Sequence, residues 1–390
     1  MRHIRFPLAL AGVALSALAL TCFNGCSRRS ASAAASEIPS DANFQKQLDD
    51  AYDYAGSRRL NINDQGAWQI IHGAEAFGKD FLITADGKEV HAIDYVTHGG
   101  AMKGWDLRPT EHGVISIVAN DAIGMGHIDQ WLGYLSQCGV KMSDPLLVGG
   151  KDYTMKGFVD NAKWDIDEDP KRDGTWTLMA FITYLPMDVE WTNHLGEKWN
   201  LERLVAMEVR KTNDEIYSTE ACGGAHCLYS LALAVNRYKR EMKTTHLTGA
   251  WKEAEDHVIR AVRDAKDYQN TDGTISSNSF IKANPTPDVA QQIRTTGHVL
   301  EFLSVACSDE EFNEPWMSNV AYSLVKLFQK TKNMDIECGA LYHSAHGLKL
   351  YRERRFGLRP SLAADISPTD ESIAAQGAAA APTKSETAVP

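Results

Sequence analysis

The stretch TTGHVLEFLSVA, residues 295–306, places a Gly-His pair ahead of apolar residues that recur every three or four positions. That period is typical of an amphipathic helix. Glycine and histidine stand together at four further points, in the strings WQIIHG, GMGHIDQW, CGGAH and HSAHG, whose histidines are His72, His127, His226 and His346. The string DGTW, which contains Trp176, lies midway between the second and the third of these histidines.

The spacing of these six points predicts a repeating helical unit. From His72 to His346 the successive intervals are 55, 49, 50, 72 and 48 residues, and the longest contains the loop-like segment 269–288. A helical hairpin with ordinary loops takes roughly 40 to 50 residues. We therefore expect a mostly α domain whose six helical hairpins close into an α/α toroid, an (α/α)6-like barrel. An irregular helical bundle with chance spacing is the alternative.

Amphipathic patterns predict the individual helices. In residues 41–57, Phe44, Leu48, Ala51 and Ala55 fall on one face behind an N-capping Asp41. The other predicted helices are 66–78, 126–138, 154–164, 174–186, 197–213, 222–241, 250–268, 289–306, 309–331 and 339–355.

Residues 81–118 break the helical pattern. FLIT and VHAIDYV flank Asp86-Gly87, which is a strong hairpin signal, and VISIV at 114–118 is a candidate third strand. We expect a small β-hairpin insertion at about 81–118 in place of one outer helix.

The N-terminus has the pattern of an export signal. Arg2, His3 and Arg5 precede a mainly apolar run over 6–20, which is too short for a comfortable membrane span. Gly25-Cys26 fits a lipoprotein signal, so residues 1–26 are predicted to be the signal, with lipid attached at Cys26. Processing at Cys22 or near the alanines at 33–35, and an uncleaved anchor, stay open.

The remaining domain boundaries follow from composition. Residues 27–40 are predicted to be a flexible tether, 41–358 the α/α-toroid domain and 359–390 a disordered tail that is too polar to bury a core. The protein is then expected on the periplasmic side of the cell envelope, with the membrane as a partner through its N-terminal anchor.

Charge and cysteine usage exclude some functions. The net charge of −11 repels phosphate backbones and argues against nucleic acid as a partner. The five cysteines of the body are odd in number and scattered, which does not suggest a disulfide framework. They are Cys138, Cys222, Cys227, Cys307 and Cys338.

A toroid would gather the N-terminal ends of its inner helices at one mouth, where the histidines are expected to begin the helices. Histidine beside a carboxylate is a workable acid/base pair, and the predicted pairs are His72/Glu75, His127/Asp129 and His298/Glu301. His226 is a further catalytic candidate. The opposing interpretation is that these histidines only cap neighbouring loops.

Other residues on these turns are candidate ligand contacts. Indoles and polar side chains near the mouth are typical of sugar binding, and the predicted substrate-binding residues are Trp68, Trp131, Trp176, Gln130, Tyr342, His346 and Asp272. For metal, the weak candidates are Cys222, His226, Cys338 and His343, which give a low expectation of zinc because no CxxC pair or HExxH occurs.

Two resemblances follow from these motifs. QNTDG, residues 269–273, resembles the glutamine–glycine–aromatic repeat of terpenoid cyclases and protein prenyltransferases, which are α/α toroids, although Ile275 replaces the usual aromatic. The body also resembles a family of uncharacterised secreted bacterial proteins that share the strings WQIxHG, GHxDQW, ACGGxH, QNxDG, TGHxLE and LYHxxHGL. That resemblance implies export and the toroid fold, and brings no activity with it.

The leading functional expectation is an envelope-anchored enzyme that acts on carbohydrate, as a glycoside hydrolase or polysaccharide lyase, through the His/acid pairs at the barrel mouth. One alternative is an enzyme similar to terpenoid cyclases or prenyltransferases. The other is a non-catalytic envelope scaffold or binding module.

Overall fold

The computed structural model describes residues 38–118, 126–169, 173–211 and 221–358. The predicted signal at 1–26 with Cys26, most of the predicted tether and the tail at 359–390 lie outside the described residues. None of the described helices is long and apolar enough to span a membrane.

The described chain is mostly helical, as predicted. Its helices are α1 (Asp41–Ser57), α2 (Ala67–Phe77), α3 (Ala92–Thr97), α4 (Gln130–Gln137), α5 (Met155–Asp165), α6 (Thr175–Tyr184), α7 (Leu201–Val209), α8 (Ala225–Met242), α9 (Gly249–Asp267), α10 (Val289–Ala306), α11 (Asp309–Phe312), α12 (Pro315–Lys330) and α13 (Cys338–Phe356).

The strands are short and form small sheets. They are β1 (Leu60–Asn61), β2 (Leu82–Ala85), β3 (Lys88–His91), β4 (Trp105–Thr110), β5 (Gly113–Val118), β6 (Pro145–Val148), β7 (Lys151–Thr154), β8 (Glu190–Thr192) and β9 (Lys198–Asn200). β1 pairs in parallel with β2, while β2/β3, β4/β5, β6/β7 and β8/β9 are antiparallel.

Six of the helices contact one another in a closed cycle. Along the cycle, α2 contacts α4, α4 contacts α6, α6 contacts α8, α8 contacts α10, α10 contacts α13, and α13 returns to α2. The other long helices pack on members of this cycle: α1 on α13, α7 and α9 on α8, and α12 on α10. The predicted site histidines at 72, 226, 298 and 346 lie on cycle helices.

Helices α10 and α13 of the cycle approach each other closely where two glycines face each other. A Cβ atom on Gly297 would lie 2.8 Å from Ser344 Cα, and one on Gly347 would lie 3.0 Å from the carbonyl oxygen of Gly297. Only residues without a side chain allow backbones to approach this closely. This contact brings the side chains that follow Gly297 against those of α13.

Most predicted helices are confirmed, with local differences. Phe44, Leu48, Ala51 and Ala55 are buried on α1 as expected. The segment predicted as one helix over 309–331 is two helices, because Pro315 begins α12 and cannot continue α11. The helix predicted from residue 126 begins only at Gln130, since Asp129 has a left-handed backbone.

The predicted β insertion is confirmed in part. β2 and β3 pair across Asp86-Gly87, and VISIV lies in β5, which pairs with β4. The strand predicted over VHAIDYV is wrong beyond His91, because Ala92–Thr97 forms α3 with Ile93 and Val96 buried at helical spacing. The hairpins β6/β7 and β8/β9 were not predicted.

Candidate functional site

Four imidazole rings meet where the cycle helices face one another. The ring of His343 on α13 lies 4.0 Å from that of His298 on α10, and 4.8 Å from those of His72 on α2 and His226 on α8, measured between ring centres. None of these histidines is more than 8% exposed. We call His72, His226, His298 and His343 the imidazole cluster.

Two buried aromatic residues form one wall of the imidazole cluster. The ring of Tyr134 lies 5.3 Å from His72, and the ring of Trp176 lies 4.9 Å from His226. Tyr134 and Trp176 pack edge to face with ring centres 4.8 Å apart. The wall comes from α4 and α6, so all six cycle helices contribute to one set of ring contacts, with His343 of α13 at its centre.

Hydrogen bonds to the backbone set the tautomers of two cluster histidines. Nδ1 of His72 bonds the carbonyl oxygen of Trp68 at 2.5 Å, and Nδ1 of His298 bonds that of Arg294 at 2.7 Å. A carbonyl only accepts, so Nδ1 carries the proton in both rings and Nε2 keeps its lone pair. Burial lowers the pKa of each ring to about 4.

Behind the imidazole cluster lie two buried carboxylates. Glu301 accepts from Nδ1 of His343 at 3.0 Å and from Nδ1 of His346 at 2.9 Å. The Glu75 carboxylate lies 3.5 Å from His343 Nδ1 and 3.7 Å from His346 Nδ1. Burial raises the pKa of both carboxyls well above their usual range, and the charge of Glu75 adds to this at Glu301.

A polar pocket of about 320 Å³ opens beside the imidazole cluster. It is lined by Cys222, Gly223, Ser277, Asn278, Ser279, Ile281, Gln291, Arg294, Thr295 and His298. Arg294 and His298 stand one helical turn apart on α10, with the arginine exposed and the histidine 4% exposed. The described residues that line this pocket include no carboxylate.

A second grouping joins the pocket to the imidazole cluster. Ligand atoms of Cys222, His226 and His298 all lie within 4.8 Å of one another. Cys222 has a left-handed backbone with φ 55°, and the two glycines that follow it are left-handed as well. The CGGAH string thus supplies a sharp turn that sets the thiol beside His226, and burial raises the pKa of Cys222 to about 11.

The structure brings together only some of the predicted metal ligands. Cys222 and His226 are brought together, with His298 as a third group. Cys338 is instead contacted by Gln69 at 3.8 Å and does not join either group of potential ligands among the described residues. His343 belongs with the buried carboxylates.

The expectation that the histidines begin the helices is wrong for three of them. His298 is the tenth residue of α10, His346 the ninth of α13 and His72 the sixth of α2. Only His226, second in α8, and His127, just before α4, stand near a helix start. Side chains inside the cycle helices, rather than helix ends, therefore surround the centre.

The predicted His127/Asp129 pair is also wrong. Nδ1 of His127 bonds Asp173 Oδ2 at 2.9 Å, while Asp129 accepts from the Thr177 hydroxyl at 2.6 Å. The left-handed turn at Asp129 directs its carboxylate toward α6. Asp173 was missed because it precedes a different helix, 46 residues further along the chain.

The two remaining pairs do not bond directly. Glu301 bonds His343 and His346, and the imidazole of His343 stands between it and His298. His72 bonds Trp68, and Glu75 faces α13. His343, which the sequence suggested only as a weak metal ligand, is the residue that links both histidines to the carboxylates.

Most predicted substrate contacts are placed in the core. Trp131, Trp176, Gln130, Tyr342 and His346 are buried, and unlike His298 none of them lines the pocket, so they offer no face to a sugar there. Trp68 is half-buried and packs on His72 with ring centres 4.2 Å apart. Asp272 is exposed, and its carboxylate accepts from Thr274 within its own turn.

Asp173 gives a stability prediction with a definite pH dependence. Burial alone would raise its pKa, but the hydrogen bond from His127 and the charge of Lys211 outweigh this and hold the pKa well below its usual value. A depressed carboxyl pKa stabilises the folded state above the unfolded pKa of about 3.9, and that contribution is lost as the pH falls.

We expect Asp173→Asn to lower the free energy of unfolding by roughly 1–3 kcal/mol at pH 7, and this gap to narrow below about pH 5. Urea unfolding at several pH values measures it. Asp188→Asn, at an exposed position, is the control and should change little. A loss that is equal at every pH would show that the Asp173 charge is not responsible.

Comparisons of this chain with protein-family models, with curated proteins and with solved structures find no match.

Proposed function

We propose that this chain is an exported enzyme that acts on a carbohydrate in the pocket lined by Arg294 and His298. One observation carries the proposal: a cation and an imidazole on successive turns of α10 face the same polar pocket. The other polar lining groups are the hydroxyls of Ser277, Ser279 and Thr295 and the amides of Asn278 and Gln291. Such groups suit a ligand rich in hydroxyls.

The fold proposed for this enzyme is the α/α toroid. It is supported by the closed cycle of contacts through α2, α4, α6, α8, α10 and α13, with the other long helices packed on that cycle. The resemblance to secreted bacterial toroid proteins points the same way. Export and attachment at Cys26 rest on the N-terminal sequence alone and are part of the proposal.

Within the carbohydrate class, the pocket favours elimination over hydrolysis. Glycoside hydrolases commonly use two carboxylates that flank the bond to be cleaved. The buried carboxylates near this site, Glu75 and Glu301, lie behind the imidazole cluster and do not line the pocket. The exposed carboxylate of Glu337 acts on His298 and Cys222 through its charge, but it accepts from the N–H groups of Gly339 and Ala340 and does not line the pocket either. Elimination instead needs a base near a carbon acid and a cation on the adjacent carboxylate, which matches His298 with Arg294.

The proposed reaction is β-elimination in a uronate. Nε2 of His298 removes the proton on the carbon next to the sugar carboxylate, while Arg294 pairs with that carboxylate and stabilises the charge that develops. The electron pair of the broken C–H bond forms a carbon–carbon double bond, and the glycosidic C–O bond breaks. The leaving oxygen takes a proton from His298 or from solvent, so the products are an unsaturated sugar and a shortened chain.

The substrate is proposed to be a short acidic oligosaccharide. The pocket volume of about 320 Å³ is at the small end of the range for ligand sites and matches one or two sugar units. The net charge of −11 repels a long polyanion. The local positive charge of Arg294 is therefore expected to make the pocket bind acidic ligands more tightly than neutral ones.

Arg294→Ala is expected to weaken the binding of an oligogalacturonate by about 10- to 100-fold, because a lost charged hydrogen bond is worth about 1.5–3 kcal/mol. Binding of the corresponding neutral oligogalactoside should change little. Calorimetric titration measures both. Arg260→Ala on α9, which removes an exposed arginine away from the pocket, is the matched control. Equal losses for the acidic and the neutral ligand would contradict the proposed role.

One observation favours a second candidate, the non-catalytic scaffold or binding module. His72, His226, His343 and His346 are buried, as histidines with a purely structural role would be. The two functions make different predictions for His298, because a scaffold does not need an imidazole in the pocket. The cyclase-like alternative requires an apolar central cavity, and the mutual contacts of four imidazoles give it no support.

A further inference from the structure

Four buried side chains from three helices face one another behind the imidazole cluster. They are Glu75 on α2, Glu301 on α10, and His343 and His346 on α13. The two histidines are three residues apart and so project from one face of α13. We call this set the Glu/His quartet, and it has no direct role in the reaction proposed above.

With both acids ionised, the quartet would hold more negative charge than the groups around it neutralise. Glu75 and Glu301 are 3% and 5% exposed, and buried carboxylates are costly unless they are paired. Lys349, half-buried on α13, lowers the pKa of Glu75, yet it forms no ion pair with either carboxylate in the described part of the chain. A further positive charge, or a shared proton, must therefore balance the two acids.

One oxygen of the quartet also lacks a partner. Within the described part of the chain, Glu75 Oε2 is buried and has no hydrogen bond of ordinary geometry, whereas both oxygens of Glu301 accept from His343. The Tyr134 hydroxyl is the nearby donor, since its interaction with the Glu75 carboxyl lowers the pKa of that carboxyl. A buried acceptor that receives no hydrogen bond costs stability, and a bound ion is one way to satisfy it. The unpartnered oxygen lies 3.5 Å from His343 Nδ1, inside the quartet.

We propose that the Glu/His quartet binds one divalent transition-metal ion. Nδ1 of His346 lies 2.9 Å from Glu301 Oε1 and 3.7 Å from Glu75 Oε1, and one ligand atom from each of these three residues lies within 4.8 Å of the other two. Nδ1 of His343 faces the other oxygen of each carboxylate, at 3.0 Å from Glu301 Oε2 and 3.5 Å from Glu75 Oε2. Ligands of a tetrahedral ion bound at about 2.0–2.2 Å stand roughly 3.3–3.6 Å apart. Glu75, Glu301 and His346 are therefore spaced as three ligands of such an ion, and a shift of the His343 ring supplies the fourth.

The donor set narrows the identity of the ion. Two imidazole nitrogens with two carboxylate oxygens suit zinc, manganese, iron or cobalt, whereas calcium and magnesium prefer oxygen alone. All four ligands are at most 5% exposed, which separates the ion from the pocket. Its role is to join α2, α10 and α13 and to hold the His343 ring that contacts His298.

The experiment is metal analysis of the full chain. Wild-type protein is refolded separately with each of the four ions under reducing conditions, desalted and measured by plasma mass spectrometry, and its melting temperature is recorded. We expect about one equivalent of at least one ion and a higher melting temperature with it. Glu75→Gln and Glu301→Gln keep the side-chain size and should each lower the affinity by at least about tenfold.

Two variants act as controls. Glu208→Gln removes another fully buried carboxylate, which pairs with Lys211 and Thr175, and should retain the ion whatever its effect on stability. Cys222→Ser tests the neighbouring Cys222/His226/His298 grouping and should also retain it. If Glu75→Gln does not fold, His346→Gln takes its place.

Two results would overturn the proposal. In the first, no ion is bound after refolding, and the wild-type protein shows the infrared carbonyl band of a protonated carboxyl. That band is lost in Glu75→Gln or in Glu301→Gln. The second is an ion that Cys222→Ser abolishes and Glu75→Gln retains. A bound ion with no elimination activity would leave this site standing and count against the proposed function alone.

Discussion

His298→Gln is expected to lower kcat on an acidic oligosaccharide by at least about 100-fold, within the range of about 10²–10⁴ that positioned proton transfer contributes. Its Nδ1 donates to the Arg294 carbonyl, which leaves Nε2 as the acceptor for the substrate proton. Glutamine has a similar length but its amide cannot take that proton. The loss should appear in kcat, whereas loss of the Arg294 side chain should both raise KM and lower kcat, because Arg294 pairs with the bound carboxylate and with the charge that develops on it.

Steady-state kinetics on the oligogalacturonate measures this effect. His246→Gln, at an exposed position outside the pocket, is the matched control and should retain wild-type kcat. Circular dichroism and the unfolding midpoint would show that His298→Gln is folded. A folded variant with unchanged kcat would remove His298 from the mechanism.

Trp176→Ala should cost about 3–5 kcal/mol of unfolding free energy, the range for removal of a large buried aromatic side chain. The indole is 1% exposed and contacts the rings of His127, Tyr134 and His226. Its loss leaves a cavity between α6 and the imidazole cluster. Denaturant unfolding followed by circular dichroism measures the change.

The control for Trp176→Ala is Trp164→Ala, since Trp164 is 40% exposed and lies in the last turn of α5. We expect a loss below about 1 kcal/mol there. If Trp176→Ala were as stable as the wild type but no longer bound sugar, the original sequence expectation of a stacking platform would be right and the packing role wrong.

Long helices were predictable because the apolar residues that they bury recur every three or four positions along the chain. In α1, four apolar residues at three- and four-residue spacing are the buried ones. α10 begins after Asp288, whose carboxylate accepts from the next N–H groups, and it spans the predicted residues. α3 and the hairpins β6/β7 and β8/β9 are too short for such periodicity to show.

The meeting of distant histidines was predictable from the recurring Gly-His strings, but their bonding partners were not. Glu301 bonds residues 42 and 45 positions later, through the approach of α10 and α13 at Gly297 and Gly347. Spacing within one helix shows which side chains share a face. It does not show which neighbouring helix that face meets, and this is why Asp173 was missed and His343 was named only as a weak metal candidate.

The sequence also could not show which tryptophan side chains are buried and which are free to contact a ligand. Tryptophan at a helix start reads equally well as a sugar platform or as core packing, and Trp131 and Trp176 proved to be core. Arg294 was overlooked for a related reason. A lone arginine on a helix carries no signal until the 276–281 loop and the CGG turn place a pocket beside it.

We propose elimination on acidic sugars as the function of the pocket at Arg294 and His298. The most direct measurement is the ultraviolet absorbance of the unsaturated product when wild-type protein is incubated with short oligomers of galacturonate, glucuronate and mannuronate. We predict a steady rise with at least one of them, absent in His298→Gln. New reducing ends without that absorbance, or no product from any of the three, would contradict the claim.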